Sequence, residues 1–253
     1  MKLFDAHCHL LPPEAVERAA AAGVAGIAVC GTSPDDWAQV FKTLELFPQI
    51  FPMVGIHPWF VKGRDGSPSR PDDAARPAVE PCHEEFQTLE KLLREYPGAG
   101  IGETGLDFQD KFKNRAEQEA SFAAHLDLAR ELNRPVAVHC VQAWGRLIEL
   151  LREHPAPRVL LHAFSGAPEL ISELTGLNCW FSFGSAVMNP RAKRAMVSAA
   201  AVSADRLLIE TDSSGEPEKL IEVARAVAEL RKVPVEEVAD LTFSNAGRFF
   251  KSI

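Results

Sequence analysis

Asp5-Ala6-His7-Cys8-His9-Leu10 closes the first apolar run of the chain, Leu3–His7, and its reading decides the fold. In a β-strand residues i and i+2 face the same side, so His7 and His9 project together while Cys8 points the other way. Two neutral imidazoles side by side pack poorly in a core but make half of a divalent-metal site. The pair alone does not separate that reading from a chance doublet near a terminus. What separates them is whether further ligands arrive at the ends of further strands.

Working outward, short β-like runs recur at Gly26–Gly31, Phe51–Ile56, Gly100–Glu103, Pro135–His139, Arg158–His162, Cys179–Phe183 and Leu207–Thr211. Several are nearly continuous in apolar residues, as expected of parallel strands covered on both faces. Helical patterns lie between them, among them Glu14–Ala22, Glu84–Tyr96, Ala116–Leu132 and Ala143–His154. In Ala116–Leu132 the stripe is Ala120, Ala123, Ala124, Leu126, Leu128, Ala129 and Leu132. Strand–helix alternation repeated eight times predicts an α/β protein, a single-domain (β/α)8 TIM barrel over residues 1–253. Glu218–Arg231 and Val235–Phe250 are the closing helices, the second an extra cap. Lys62–Pro81, rich in Pro, Asp, Arg and Gly, reads as a long loop after the third strand rather than a linker, because the barrel count continues through it.

Composition narrows the function. The chain is 46% hydrophobic and 25% charged with a net charge of −8, so its whole surface does not draw in nucleic acid by long-range attraction. Any polyanion must be held by metals and a local basic patch. Five cysteines, an odd number without C-x-x-C spacing, point to reduced thiols in a cytoplasmic protein. The N-terminus carries no signal pattern, and no apolar run is long enough to span a bilayer, so no membrane partner is expected.

In a TIM barrel the chemistry sits at the C-terminal ends of the strands. Strand one ends in His7 and His9, strand three near His57, strand four at Glu103, strand five at His139, strand six at His162 and strand eight at Asp212. Histidines and carboxylates converging on one mouth form the ligand set of a dinuclear divalent site. Strands one and eight are neighbours in a closed barrel, so His7, His9 and Asp212 flank one metal. His139 and His162, on adjacent strands, flank the other. Glu103 bridges, having two oxygens where an imidazole has one free lone pair. Two such cations lower the pKa of a shared water, and Asp212 is placed to orient that water or take its proton, which makes Asp212 and Glu103 the catalytic candidates of a hydrolase.

These residues lie in motifs that together resemble the TatD-type metal-dependent deoxyribonucleases of the amidohydrolase superfamily. The motifs are Asp5-Ala6-His7-Cys8-His9-Leu10, Val54-Gly55-Ile56-His57-Pro58, Gly102-Glu103-Thr104-Gly105-Leu106-Asp107, Pro135-Val136-Ala137-Val138-His139, His162-Ala163-Phe164-Ser165-Gly166, Glu210-Thr211-Asp212 and Asn245-Ala246-Gly247-Arg248-Phe249-Phe250. They run in the family's order over essentially the whole chain. The resemblance implies a TIM barrel and two divalent metals (Zn, Mg or Mn) held by His7, His9, Glu103, His139, His162 and Asp212. It also implies phosphodiester hydrolysis from the 3′ end of single-stranded DNA, with His57 near the scissile phosphate, a position that reads equally as a satisfied polar residue before Pro58. Asp5 reads as a buttress behind a histidine, Asp107 as fixing the turn after Glu103, Asn245 as support for the final helix, and Cys8 and Cys140 as small core residues.

The sequence also departs from the family. Where the family usually carries H-x-R and then an acid after the strand-five histidine, this chain has Val141 and Gln142. Past Asp212 it has Ser213-Ser214-Gly215-Glu216-Pro217 in place of the family's Pro-Tyr-Leu and basic segment. Both changes strip positive charge from the mouth and leave every metal ligand in place. Asn189–Arg194 and Lys111–Arg115 are the basic segments that could compensate, though each also reads as a solvated surface. The partner is therefore a nucleic acid, a single-stranded DNA end, or alternatively a small phosphoester, amide or lactone. A non-catalytic barrel scaffold is a further alternative, opposed by the complete ligand set. No obligate protein partner is implied.

Overall fold

The computed structural model describes residues 1–61 and 83–251; the expected loop Lys62–Pro81 lies outside the described residues. Eight strands form one parallel sheet in sequence order: β1 Leu3–Cys8, β2 Val24–Cys30, β3 Ile50–Val54, β4 Gly100–Asp107, β5 Pro135–Val141, β6 Arg158–Leu161, β7 Cys179–Phe183 and β8 Leu207–Ile209. The ends of β8 and β1 meet through two backbone hydrogen bonds, Asp212 N to His7 O and His9 N to Ser213 O, both 3.0 Å. The expected TIM barrel is thus the observed fold.

The helices are α1 Pro13–Ala21, α2 Pro34–Leu46, α3 His83–Glu95, α4 Arg115–Leu132, α5 Trp144–Glu153, α6 Ile171–Gly176, α7 Lys193–Ala201, α8 Leu220–Arg231 and α9 Val235–Phe250. Parallel neighbours need such crossovers, and the helices cover the outer face that the apolar strands demand. On α4 the expected stripe is buried at Leu126, Leu128 and Ala129, but Ala120, Ala123, Ala124 and Leu132 are only half-buried, and Gln118, Ser121, Phe122 and His125 complete the buried face instead. The reason is polar. Gln118 Oε1 accepts from Asp107 N at 2.8 Å and His125 Nε2 accepts from Ile56 N at 3.2 Å, so α4 serves strand-end amides no ladder satisfies.

Strand alternation sorts the core into two layers. Phe4, Ala6, Ala28, Phe51, Met53, Ala137, Leu160, Trp180 and Leu208 form the inner one, joined by Phe249 and Phe250 of α9. The outer layer, against the helices, takes Ile27, Val29, Val136, Val138, Val159, Leu161, Leu207 and Ile209. The expected cap is therefore α9 itself, and Asn245 fastens it, its Nδ2 donating to Ala204 O and Leu207 O at 2.7 Å.

Two irregularities aim the chemistry. With Phe4 and Ala6 inside, unbroken alternation would send His7 outward. Instead β1 pairs Asp5 with Ile27 and Cys8 with Val29, three steps on β1 against two on β2. Likewise β4 pairs Ile101 with Val136 and Thr104 with Val138. An extra residue in a strand resets its facing, and here the two bulges turn His7 and Glu103 into the mouth. Gly102, inside the second bulge, allows it: its φ is +144°, and a Cβ there would lie 2.8 Å from that of Ala137, while a Cβ at Gly105 (φ +136°) would run into the carbonyl oxygen of His139.

Candidate metal centre

Glu103 is the hub. It is 2% exposed, and its two oxygens face different histidines. Oε2 lies 3.3 Å from His7 Nε2 and 3.7 Å from His9 Nε2. Oε1 lies 2.8 Å from His162 Nε2, 3.0 Å from His139 Nδ1 and 3.2 Å from His57 Nε2. Asp212 Oδ1 stands 3.3 Å from His9 Nε2 and 3.7 Å from His7 Nε2. Seven side chains from six strand ends thus share one mouth, all of them residues singled out in the sequence. Six of them, all but the fully buried His7, line a cavity of about 450 Å³ together with Cys30, Trp59, Phe60 and Val141.

The grouping of ligand atoms differs in detail from the sequence reading. His7, His9 and Asp212 fall together as expected, but His162 groups with His7 and Glu103, and His139 with His57 and Glu103. His139 and His162 share Glu103 Oε1, their rings tilted at 5.6 Å between centroids. The cause is the stacking of the His7 and His162 rings across the barrel, centroids 4.0 Å apart.

The donor set suits divalent cations. His7 Nε2 and His139 Nε2 are buried without a hydrogen-bond partner among the described residues, each beside a carboxylate oxygen. A buried lone pair left open in this way is a costly arrangement unless a ligand takes it. Charge is balanced accordingly. Burial opposes the ionisation of Glu103, but His162, His139 and His57 outweigh it and hold the carboxyl well below the usual range. Burial also disfavours the cation at His162, yet Glu103 and then Glu210 raise it well above an ordinary imidazole. His7 is lowered by burial and by neighbouring His162. At Asp212, burial is outweighed by the His9 hydrogen bond and the carboxyl is held down.

His57 is set apart from the other histidines by its hydrogen bonds. Its Nδ1 accepts from Trp59 N at 3.1 Å, so the neutral ring keeps its proton on Nε2, aimed at Glu103. Burial lowers its pKa and favours that neutral form.

Several supporting residues were not evident in the sequence. Cys30, at the end of β2, places Sγ 3.3 Å from His7 Nδ1. Glu210 accepts from Ala163 N at 2.6 Å and from Ser182 Oγ, with Oε1 3.6 Å from His162 Nδ1. Period-two alternation with Asp212 is the signal that places Glu210 on the inner face. Ala163 and Asp212 adopt φ of +43° and +51°, a strained left-handed conformation that ends the ladder and turns the chain over the mouth. Among the described residues, Asp5 hydrogen-bonds no histidine ring. Its Oδ1 accepts from Thr211 N at 2.9 Å and from His7 N at 3.3 Å, and its Oδ2 accepts from Thr211 Oγ1, so it fastens the β1–β8 seam. Burial pushes its pKa up to about 8 against those hydrogen bonds. Asp107 does fix the turn, accepting from Gln109 N at 3.1 Å, and additionally takes Trp59 Nε1 at 2.7 Å. Cys8 packs in the outer layer, whereas Cys140, also packed there, touches the cavity.

A family model described as TatD related DNase matches residues 4–251. The metal-dependent hydrolase YabD of Bacillus subtilis is 29% identical, the match covering 98% of this chain and 99% of that protein. The 3'-5' ssDNA/RNA exonuclease TatD of Edwardsiella piscicida is also 29% identical, over 94% of this chain and 93% of its own. The crystal structure of YjjV, a TatD homolog from Escherichia coli K12, superposes with a TM-score of 0.86 at 25% identity, covering 99% of this chain and 98% of that one.

Proposed function

The chain belongs to the TatD-related DNase family, a family of metal-dependent hydrolases, and from that premise we propose that it is a 3′-5′ exonuclease on single-stranded nucleic acid working with two divalent cations. The observation that carries the proposal is the division of Glu103 between two histidine sets, one on each oxygen. His7, His9 and Asp212 would hold one cation, His139 and His162 the other, and Glu103 would be shared. When bound, such cations polarise the phosphoryl group and acidify a water.

The remaining work falls to the side chains. Asp212 is 40% exposed where Glu103 is 2%, so it meets solvent, orients the attacking water and receives its proton. His9 keeps Asp212 ionised. His57 holds its Nε2 proton 3.2 Å from Glu103 Oε1, and with that oxygen engaged by a cation the proton would be donated in a hydrogen bond to a phosphoryl oxygen; the bond from Trp59 N fixes that tautomer. Cys30 and Glu210 hold His7 and His162 in place. No described helix is long and apolar enough to cross a membrane. The four cysteines of the described residues are buried free thiols, which fits a reducing compartment such as the cytoplasm.

One observation favours a second reading. Val141 lines the cavity, and an isopropyl group gives a phosphate no charge-assisted contact. Hydrolysis of a small phosphoester would need less positive charge at the mouth. The deciding experiment offers the metal-loaded protein single-stranded DNA, duplex DNA, RNA and bis(4-nitrophenyl) phosphate, with and without chelator. Nucleotide release from single strands, abolished by chelation and restored by Mn²⁺, Zn²⁺ or Mg²⁺, is the expected result. Turnover of the small ester alone selects the second reading.

A further inference from the structure

We propose that Trp59, with Phe60, Phe112 and Lys111 around it, is a stacking shelf that seats the nucleobase adjoining the scissile phosphodiester. The inference rests on the nuclease reading above and names the part of the substrate that this rim recognises.

Trp59 and Phe60 follow His57 in a single helical turn, Pro58–Phe60, and are 51% and 46% exposed. Both line the cavity that holds His57, Glu103, His139 and Asp212. Adjacent exposed aromatics over a polar cavity form an apolar patch of the kind that marks a binding edge. The indole is also held rigidly. Its Nε1 donates to Asp107 Oδ2 at 2.7 Å, and Asp107 is fully buried, so a desolvated carboxylate anchors an exposed ring. The ring meets His57 edge-on at 4.8 Å between centroids and lies nearly parallel to Phe112, 22° at 6.0 Å. A ring fixed before binding loses little entropy when a base settles on it.

Distance assigns the base. The Trp59 centroid is 6.2 Å from that of His139 and 4.8 Å from that of His57, so a stacked ring belongs to the nucleotide next to the reacting phosphate. Charge agrees. Lys111 Nζ stands 5.1 Å from the Trp59 centroid and 4.8 Å from that of Phe112. An ammonium there meets the strand's phosphate and supplies at the β3–β4 rim the cation that Val141 does not supply at β5. Stacking tolerates any base, as an exonuclease that removes successive different nucleotides needs.

The test is a cycle on the full-length, manganese-loaded protein. It measures kcat/KM on a single-stranded thymidine oligonucleotide and on the same strand with abasic residues at its last two positions. Wild type is expected to favour the base-bearing end by about ten-fold, Trp59→Phe to keep most of that ratio, and Trp59→Ala to bring it near one. Lys111→Gln is expected to raise KM for the oligonucleotide several-fold at low salt, roughly the loss of one phosphate contact. A base preference that survives Trp59→Ala, or is absent in wild type, overturns the shelf and leaves the nuclease reading standing. Cleavage of bis(4-nitrophenyl) phosphate without any cleavage of oligonucleotides overturns the nuclease reading and the shelf with it. Should Trp59→Ala not fold, Lys111→Gln and an abasic scan on wild type decide: a flat scan with unchanged KM overturns the proposal.

Discussion

The two ends of this barrel are built from the same inward-facing positions and could hardly differ more. Toward the N-terminal ends of the strands the interior holds Phe4, Phe51, Trp180 and Leu208, plugged by Phe249 and Phe250 of α9. Two residues further along the same strands the inward positions become polar: Ala137 gives way to His139, Leu160 to His162 and Leu208 to Glu210. A packed lower end can absorb the cost of an upper end that crowds buried imidazoles and carboxylates together. Stability and chemistry are thereby separated along the barrel axis.

The sharpest way to break that separation is at Glu103. Glu103→Ala is expected to lower kcat/KM by about a thousand-fold or more and to remove at least one equivalent of bound metal, while the denaturation midpoint of the metal-free protein changes little. Metal analysis and urea unfolding of one preparation measure both sides. A variant that kept its metal and its activity would remove Glu103 from the shared position.

The opposite result is expected below. Phe249 is fully buried, 5.7 Å between centroids from Trp180 and 4.8 Å from Phe250. Phe249→Ala should cost about 3–5 kcal/mol of stability through lost burial and the cavity left behind, with activity per folded molecule retained. Activity falling in step with stability would mean that the two ends are mechanically coupled.

A smaller effect tests the shell around the mouth. His125 on α4 is fully buried, with Nδ1 donating to Ser121 O at 2.6 Å and Nε2 accepting from Ile56 N, one residue before His57. Burial pushes its pKa down to about 4, against the weaker opposing effect of the Ser121 bond. As pH falls from about 6.5 the unfolded chain takes up a proton that folded His125 refuses. The stability contributed by the neutral ring is complete above that pH and is lost toward pH 4, about 3 kcal/mol over the whole window. His125→Gln should flatten that portion of the stability profile, which equilibrium unfolding across the window measures.

Much of this architecture could be read from the chain because parallel strands buried on both faces leave a local signature. Pro135–His139 is one apolar run ending in a candidate ligand, and β5 runs over it and two residues beyond. The strand through Glu103 was less legible. The β4 ladder continues from Glu103 to Asp107 through Thr104-Gly105-Leu106, which carries little β character; proximity to His139, possible only at a glycine, keeps it extended. Helix α6 spans only six residues and is too short to show periodicity. On α4 the apolar stripe locates the buried face at Leu126, Leu128 and Ala129 but not at its alanines, because hydrogen bonds accepted by Gln118 and His125 turn that part of the helix.

Sequence by itself determined the barrel, the order of its strands and the identity of the seven side chains that gather at its mouth. These depend on alternation, apolar runs and residue chemistry, all of which are local along the chain. Only the tertiary structure decided which carboxylate oxygen faces which histidine, that His57 keeps its proton on Nε2, and that Asp107 anchors Trp59. Those outcomes depend on two bulges, on contacts between residues tens of positions apart and, for His57, on the local turn that brings Trp59 N back to its ring, all set by how strands and loops fit against one another in space.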